Sequence, residues 1–408
     1  MSELKKSAKR GLADLALHGG KRLFHPPIST SNLVRPDPEK FFEYSRRFYQ
    51  SGSLSNNGPL VLELEDRLAA FHEVRHCVCF ANGFWALVLA IRCLCLPEKK
   101  EVIMPSLTYR RLADVVNWAG LVPRFCEVEE STLGISAETA SPHINDDTAL
   151  VIGVHPIVNG CDAVGLEKIC ARSSLPLLFD SVESVYERLG GRKVGGFGHA
   201  EVFSMHASKL INGFEGGYVT TQDVSLAQRL KIIRGFAFAG PDRVTELGLN
   251  AKLNEMHAAM ALAALDDLEQ QIKRNEDRYR VYQKELAGLQ GIHLREFDER
   301  EATSFKNILI ELTEAWPLSR DLTIRYLNSE GVLARAYYSP ALHQKTSQYK
   351  TIHSPLPNTE RQASRFLLLP CGHFVDRDDI KLTVELLKFL RLQAPEIQKR
   401  EKAAGNKG

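Results

Sequence analysis

The sequence predicts an α/β protein: a large domain on a mostly parallel seven-stranded sheet, followed by a smaller C-terminal α+β domain. Three observations predict it. Short apolar segments alternate with amphipathic helical stretches from about residue 75 to 235, the pattern of a parallel sheet with crossover helices. Some of those segments, such as ALVIGV, are apolar throughout, as strands covered on both faces must be. A long helical pattern then separates this region from a shorter series of strands and helices.

In chain order the strand candidates are HCVCFA, EVIMPS, PRFCEV, ALVIGVHP, LPLLFDS, AEVFSMH and GYVTT. Helical stretches fall at Phe84–Cys95, Leu112–Ala119, Gly165–Arg172 and Ser225–Arg234. From Leu253 to Leu289, apolar residues recur mostly four apart (Met256, Met260, Ala264, Leu268, Ile272), then at Tyr279, Tyr282 and Leu286. That spacing predicts one long or slightly broken helix joining two domains. Beyond it, the strand NILIEL, a helix from Leu318, the strand VLARAYY and a helix from Asp378 make the smaller domain. The expected division is 1–250 for the large domain with an N-terminal arm, 251–290 for the connecting helix, 291–395 for the small domain and 396–408 for a disordered tail.

Composition narrows the function. The 408 residues are 44% hydrophobic and 25% charged with a net charge of +2, so no overall field points to nucleic acid or an acidic membrane. Basic clusters at Lys5-Lys6, Lys9-Arg10 and from Gln398 to Lys407 read as solvated ends. No apolar run is long enough to span a membrane, and no signal core follows the polar start. The eight cysteines include two C-x-C pairs but no C-x-x-C, and most sit in apolar runs. They read as reduced core thiols of a cytoplasmic protein, with no metal site expected.

Two residues suggest chemistry. Asp180 ends the strand LPLLFD, and Lys209 lies just past the end of AEVFSMH, on the same predicted sheet edge. Open α/β sheets bind ligands at that edge. Each alone reads as structural or solvated; together they match the needs of one cofactor. Pyridoxal 5'-phosphate requires an amine to form a Schiff base and an acid to keep its ring nitrogen protonated. It also needs a phosphate cradle, for which Ala81-Asn82-Gly83 stands between a strand and a helix start, and Ser204 can add a hydroxyl.

At this point the sequence resembles the DegT/DnrJ/EryC1/StrS sugar aminotransferases, of the fold type I aspartate aminotransferase superfamily. The resemblance runs from about Leu54 to Leu390. It is carried by NNGPLVLELEDRLAAF, EVIMPSLTYRRLADVVNWAGLVPRFCEVEESTLGI, LPLLFDSVES, GRKVGGFGHAEVFSMHASKLINGFEGGYVTT and GLNAKLNEMHAAMALAALDDLE. It implies that Lys209, in the S-x-x-x-x-K pattern, is the Schiff-base lysine and that Asp180 pairs with the pyridine nitrogen. Tyr109 would stack on the ring, while Ser204 and the amides of Gly83 and Phe84 would hold the phosphate. Asn250 would reach the phosphate of a neighbouring subunit, which implies a homodimer with active sites at the interface; read alone, Asn250 is a helix N-cap. Glu183 would lie near the cofactor's phenolic oxygen, where a carboxylate is expected to be protonated or to share a proton. Phe84 replaces the hydroxyl residue of many relatives. Asn57, Gly58, Arg335 and His343 are the substrate candidates.

The implied activity is transfer of an amino group, from a donor such as L-glutamate, to a nucleotide-linked keto-sugar. The cofactor would alternate with its pyridoxamine 5'-phosphate form. A keto-cyclitol is the alternative acceptor. A sugar dehydratase of this family typically carries histidine in place of the lysine, and Lys209 argues against it. A non-catalytic cofactor-binding protein would need Lys209 or Asp180 disabled.

Overall fold

The computed structural model describes residues 9–31, 35–241 and 243–405, so the expectations for Lys5, Lys6 and Lys407 lie outside the described residues. The large sheet contains β1 (His76–Phe80), β2 (Glu101–Pro105), β3 (Val122–Cys126), β4 (Thr148–Val154), β5 (Leu177–Asp180), β6 (Ala200–Ser204) and β7 (Gly217–Thr221). Their order is β1-β7-β6-β5-β4-β2-β3, and only β7 runs antiparallel to its neighbours. All seven predicted strands are present.

The period-2 alternation of the strands sends side chains into two cores. Val78, Phe80, Val102 and Met104 pack with helices Gly83–Leu94, Leu112–Trp118 and Val224–Ile233. Cys77, Cys79 and Ile103 pack on the opposite face with helices Pro59–Phe71, Ala163–Arg172 and Glu255–Asp266. Parallel strands covered on both faces leave the carboxyl-end edge, with its crossover loops, as the open surface.

The predicted long helix is two: Glu255–Asp266, then Leu268–Leu286. The break falls at Asp267, whose carboxylate accepts the Asp37 N–H (2.6 Å) and pairs with Lys40. The second helix buries Leu268 and Ile272 in the large-sheet core and Tyr279, Tyr282 and Leu286 in a further core, so it joins the two.

That further core holds an antiparallel sheet of β8 (Ile292–Leu294), β9 (Ile308–Leu312), β10 (Arg335–Ala336) and β11 (Phe366–Leu369), in the order β8-β9-β11-β10. VLARAYY is not one strand. Val332–Leu333 turns away to pair with Ile28–Ser29, and only Arg335–Ala336 joins the sheet. The N-terminal arm, expected with the large domain, packs Leu12, Leu15, Leu23 and Phe24 into this second core. The Glu330 carboxylate holds it there by accepting the N–H groups of Ala16 (2.6 Å) and Leu23 (3.0 Å). Of the expected disordered tail, 396–405 belong to the helix Ala394–Gly405, because Ala394 and Ile397 are buried in that core and Glu401 pairs with Arg325; 406–408 lie outside the described residues.

All eight cysteines are unpaired, six of them buried. Among the described residues no His/Cys/Asp/Glu group suits a metal ion, and no helix is long and apolar enough to cross a membrane.

Candidate active site

Asp180 is the last residue of β5, flanked in register by Val154 and Val202 of the neighbouring parallel strands. It is 1% exposed, and its carboxylate accepts the Val182 N–H at 3.3 Å. Burial pushes its carboxyl up to about 6, against the Val182 N–H and the charge of Lys209, which pull it down. Lys209 follows β6 in a turn closed by its own N–H to His206 O (2.8 Å). The two residues therefore meet at one sheet edge.

The Lys209 ammonium donates to Glu183 Oε1, while Lys306 Nζ donates to Glu183 Oε2 at 2.5 Å. Burial works to raise the Glu183 carboxyl, but the two ammoniums outweigh it and bring it to about 2. In this structure the Glu183 carboxylate is therefore held ionised, its charge met by two lysines. Lys306, just before β9, has its own ammonium lowered chiefly by burial.

Two aromatic residues border this group. Tyr109 is 46% exposed at the end of the segment that follows β2. Tyr338 has φ +42°, a strained conformation for an aromatic residue. Burial, together with Glu183, Tyr337, Asp180 and Tyr109, pushes its phenol well up. Next to Tyr109 in the chain, Thr108 Oγ is buried with no hydrogen-bond partner among the described residues.

A cradle forms where β1, β6 and β7 converge. Asn82 caps the helix Gly83–Leu94 by accepting the Trp85 N–H at 2.9 Å, leaving the first-turn amides of Gly83 and Phe84 at its open end. A Cβ on Gly83 would lie 3.2 Å from Ser204 Cβ, and one on Gly217 would lie 2.5 Å from Gly83 N. Ser204 is thus against the helix start, its Oγ accepting the His206 N–H at 3.2 Å. Phe84 offers no hydroxyl; its ring meets Trp85 edge-on at 5.5 Å.

The other candidates are more dispersed. Asn57 has φ +61° and its Oδ1 accepts from the buried Arg234 at 2.8 Å. Gly58 lies against Glu255, where a Cβ would come within 2.6 Å of the carboxyl carbon. Glu255 in turn accepts the Leu60 and Val61 N–H groups at 2.8 and 2.9 Å, so the helix start is anchored there. Both ring nitrogens of His343 are partnered, Nδ1 with Ser106 Oγ (2.6 Å) and Nε2 with Glu360 (3.0 Å). Arg335 is exposed with no ion pair among the described residues. Asn250 is exposed and pairs by backbone with Gly235; the helix N-cap is Asn254, whose Oδ1 accepts the His257 N–H at 3.0 Å.

Residues 37–388 match the sequence model of the DegT/DnrJ/EryC1/StrS aminotransferase family. The chain belongs to that family. It is similar to a GDP-perosamine synthase of Vibrio cholerae, 27% identical over 85% of this chain and 95% of the relative. It is also similar to a dTDP-4-amino-4,6-dideoxy-D-glucose transaminase of Shigella dysenteriae, 25% identical over 90% and 99%. Among solved structures it resembles DesI, determined in the presence of its TDP-sugar product, with a TM-score of 0.91 and 35% identity over 96% of this chain and all of DesI. As a member of the DegT/DnrJ/EryC1/StrS family with the fold type I architecture, the protein is an aminotransferase that uses pyridoxal 5'-phosphate.

The residues present fit that cofactor. An amine, a buried acid whose ionisation burial opposes, a helix start with free amides and an exposed aromatic ring stand at one edge. A ring cation opposite Asp180 would offset the cost of burying its charge.

Sequence reasoning missed Lys306, Tyr338 and a basic group beside Tyr109. Lys345 has its ammonium lowered by burial and by Arg110 and Arg111. The loop bearing it is tied to the segment bearing them by Leu342 N–H to Ser106 O (2.9 Å). The signal for this basic group was visible: Arg110 and Arg111 directly follow Tyr109. For Lys306 the only trace is a charge abutting the apolar run of β9.

Proposed function

We infer that this aminotransferase moves an amino group from L-glutamate to a keto-sugar carried on a nucleoside diphosphate. The observation that carries the reading is the meeting of Lys209 with the buried Asp180 at the carboxyl-end edge of the sheet. In it, Lys209 holds the cofactor and then moves the proton at the substrate carbon, and Asp180 fixes the charge of the ring nitrogen. Ser204 and the amides of Gly83 and Phe84 hold the phosphate, and Tyr109 covers the ring face. The cofactor, when bound, supplies the electron sink that the protein lacks.

The nucleotide-sugar acceptor is supported by the names of the relatives and by the TDP-sugar product of DesI. Arg110, Arg111 and Lys345 beside Tyr109 suit a diphosphate. Asn57 and Gly58 then serve as a rigid substrate-side loop, and Arg335 and His343 border the sugar. A homodimer is supported by the exposed Phe42, Tyr49, Leu54 and Met256, an apolar face that a second copy would cover. Asn250, exposed on its own chain, is then free to reach a partner's phosphate site. Unpaired thiols suit a cytoplasmic location.

The test is spectroscopic. The protein with pyridoxal 5'-phosphate should be yellow, bleach on addition of L-glutamate, and recover its colour with a nucleotide-linked keto-sugar. Lys209→Ala should abolish the recovery. Recovery with a free keto-cyclitol and not with nucleotide sugars would replace the acceptor, and unimpaired amination by Lys209→Ala would sink the reading.

A further inference from the structure

Lys306 has no part in the roles assigned above, yet it is built into the site. Its side chain is 6% exposed, and its ammonium lies 2.5 Å from Glu183 Oε2. The other Glu183 oxygen takes the hydrogen bond from Lys209. One largely enclosed carboxylate, its side chain 14% exposed, is thus shared by two ammoniums, one on each oxygen. The three residues come from different places: Glu183 follows β5, Lys209 follows β6, and Lys306 precedes β9 of the small sheet.

A buried lysine is a costly way to fill space, because an apolar side chain of similar volume would serve packing as well. The two lysines also differ in what they can do. Lys209 changes its bonding whenever it holds the cofactor or moves a proton, so its charge on Glu183 is not constant. A largely enclosed carboxylate left with that partner alone would be driven toward taking up a proton each time the charge departed. Lys306, held on the far oxygen, keeps its charge.

We propose that Lys306 is a positioning residue: a standing counter-cation that keeps Glu183 ionised and fixed while Lys209 changes its bonding. This rests on the reading of Lys209 as the cofactor-bearing amine. The groups in electrostatic reach of Glu183 are Asp180 from β5, Lys209 after β6, Lys306 before β9, Tyr337 and Tyr338 after β10, and Cys371 after β11. Two of these are cations. Without Lys306, Lys209 would face two carboxylates alone.

The experiment follows the pH dependence of the bound cofactor's absorbance in the wild type, Lys306→Met, Lys306→Arg, Glu183→Gln and the double variant Glu183→Gln/Lys306→Met. In the wild type Glu183 stays ionised and adds no transition between about pH 5 and 9. Lys306→Met brings the Glu183 titration upward, moving the spectral midpoint by about one pH unit or more. Lys306→Arg restores the wild-type profile, and in the Glu183→Gln background Lys306→Met adds no shift. Should Lys306→Met fail to fold by circular dichroism, its rescue in the double variant supports the same coupling, and absence of rescue overturns it. A Lys306→Met profile superimposable on the wild type overturns the proposal, as does an equal shift in the Glu183→Gln background. A wild type that never takes up the cofactor defeats the underlying reading instead.

Discussion

Replacing Asp180 with Asn should stabilise the cofactor-free protein above neutral pH while removing its grip on the cofactor ring. Burial pushes the carboxyl from its ordinary 3.8 up to about 6, with the Val182 N–H and Lys209 only partly opposing it. A rise of roughly two units, at about 1.4 kcal/mol each, means that keeping Asp180 ionised costs the fold about 3 kcal/mol. At 1% exposure there is no solvent screening to discount. The sign follows from linkage. The folded state holds this proton more tightly than the unfolded chain, so it binds more protons between about pH 4 and 6 and loses stability as pH rises through that window. Above it the penalty is constant. Asn keeps an oxygen for the Val182 N–H but carries no charge, so Asp180→Asn should gain up to about 3 kcal/mol at pH 8 and nothing near pH 3. Glu183 acts in the opposite sense, its contribution being lost only as pH falls toward about 2. It is common to both proteins and cancels in the difference. Urea unfolding of the two cofactor-free proteins across this pH range measures the gap. Adding pyridoxal 5'-phosphate should then reverse the order of stability, since only the parent carboxylate meets a cation. A variant less stable than its parent at pH 8, or a gap that does not widen between pH 4 and 6, would refute the reasoning.

Two further substitutions test the scaffold around the site. Arg234→Met should cost about 3–5 kcal/mol in urea unfolding, because Glu65, 3% exposed, would keep only the half-exposed Lys231 as a charge partner. It should also raise KM for the sugar, since Asn57 loses its anchor; a cost under about 1 kcal/mol argues against the pair. Gly217→Ala places a Cβ 2.5 Å from Gly83 N, so the helix start must move. The expected result is a loss of about 1–3 kcal/mol. Cofactor affinity, read by fluorescence titration, should weaken about tenfold, and unchanged affinity would mean that the Gly83 amide does not hold the phosphate.

The large sheet was legible because most of its strands are compact, largely apolar runs bounded by turn residues. Phe366–Leu369 is equally apolar but only four residues long and directly continues the helix Pro357–Arg365, so periodicity cannot separate the two. The break at Asp267 was hidden because apolar residues keep their four-residue spacing across it. Its cause is a contact with Asp37 and Lys40, more than two hundred positions away. The tail was misread because its helix is polar along most of its length, with only Ala394 and Ile397 of its described residues buried in the core. Lys209 and Asp180 could be read because one cofactor demands both. Lys306 could not, since a lysine beside a strand looks solvated until the small sheet brings it to Glu183.

That contact changes what the small sheet does for catalysis. Its core is separate, yet Lys306 before β9 and Tyr337 and Tyr338 after β10 surround a carboxylate that belongs to the large sheet. The strain at Tyr338 and the burial of Lys306 are both unfavourable taken singly. They persist because the antiparallel pairing of β9 and β10 with β11 fixes the segments that carry them. The charge state of Glu183, and through it the environment of Lys209, is therefore set by how the second sheet seats against the first. A substitution that loosens β9 from β11, far from any substrate, should disturb the cofactor's spectrum before it disturbs the large sheet.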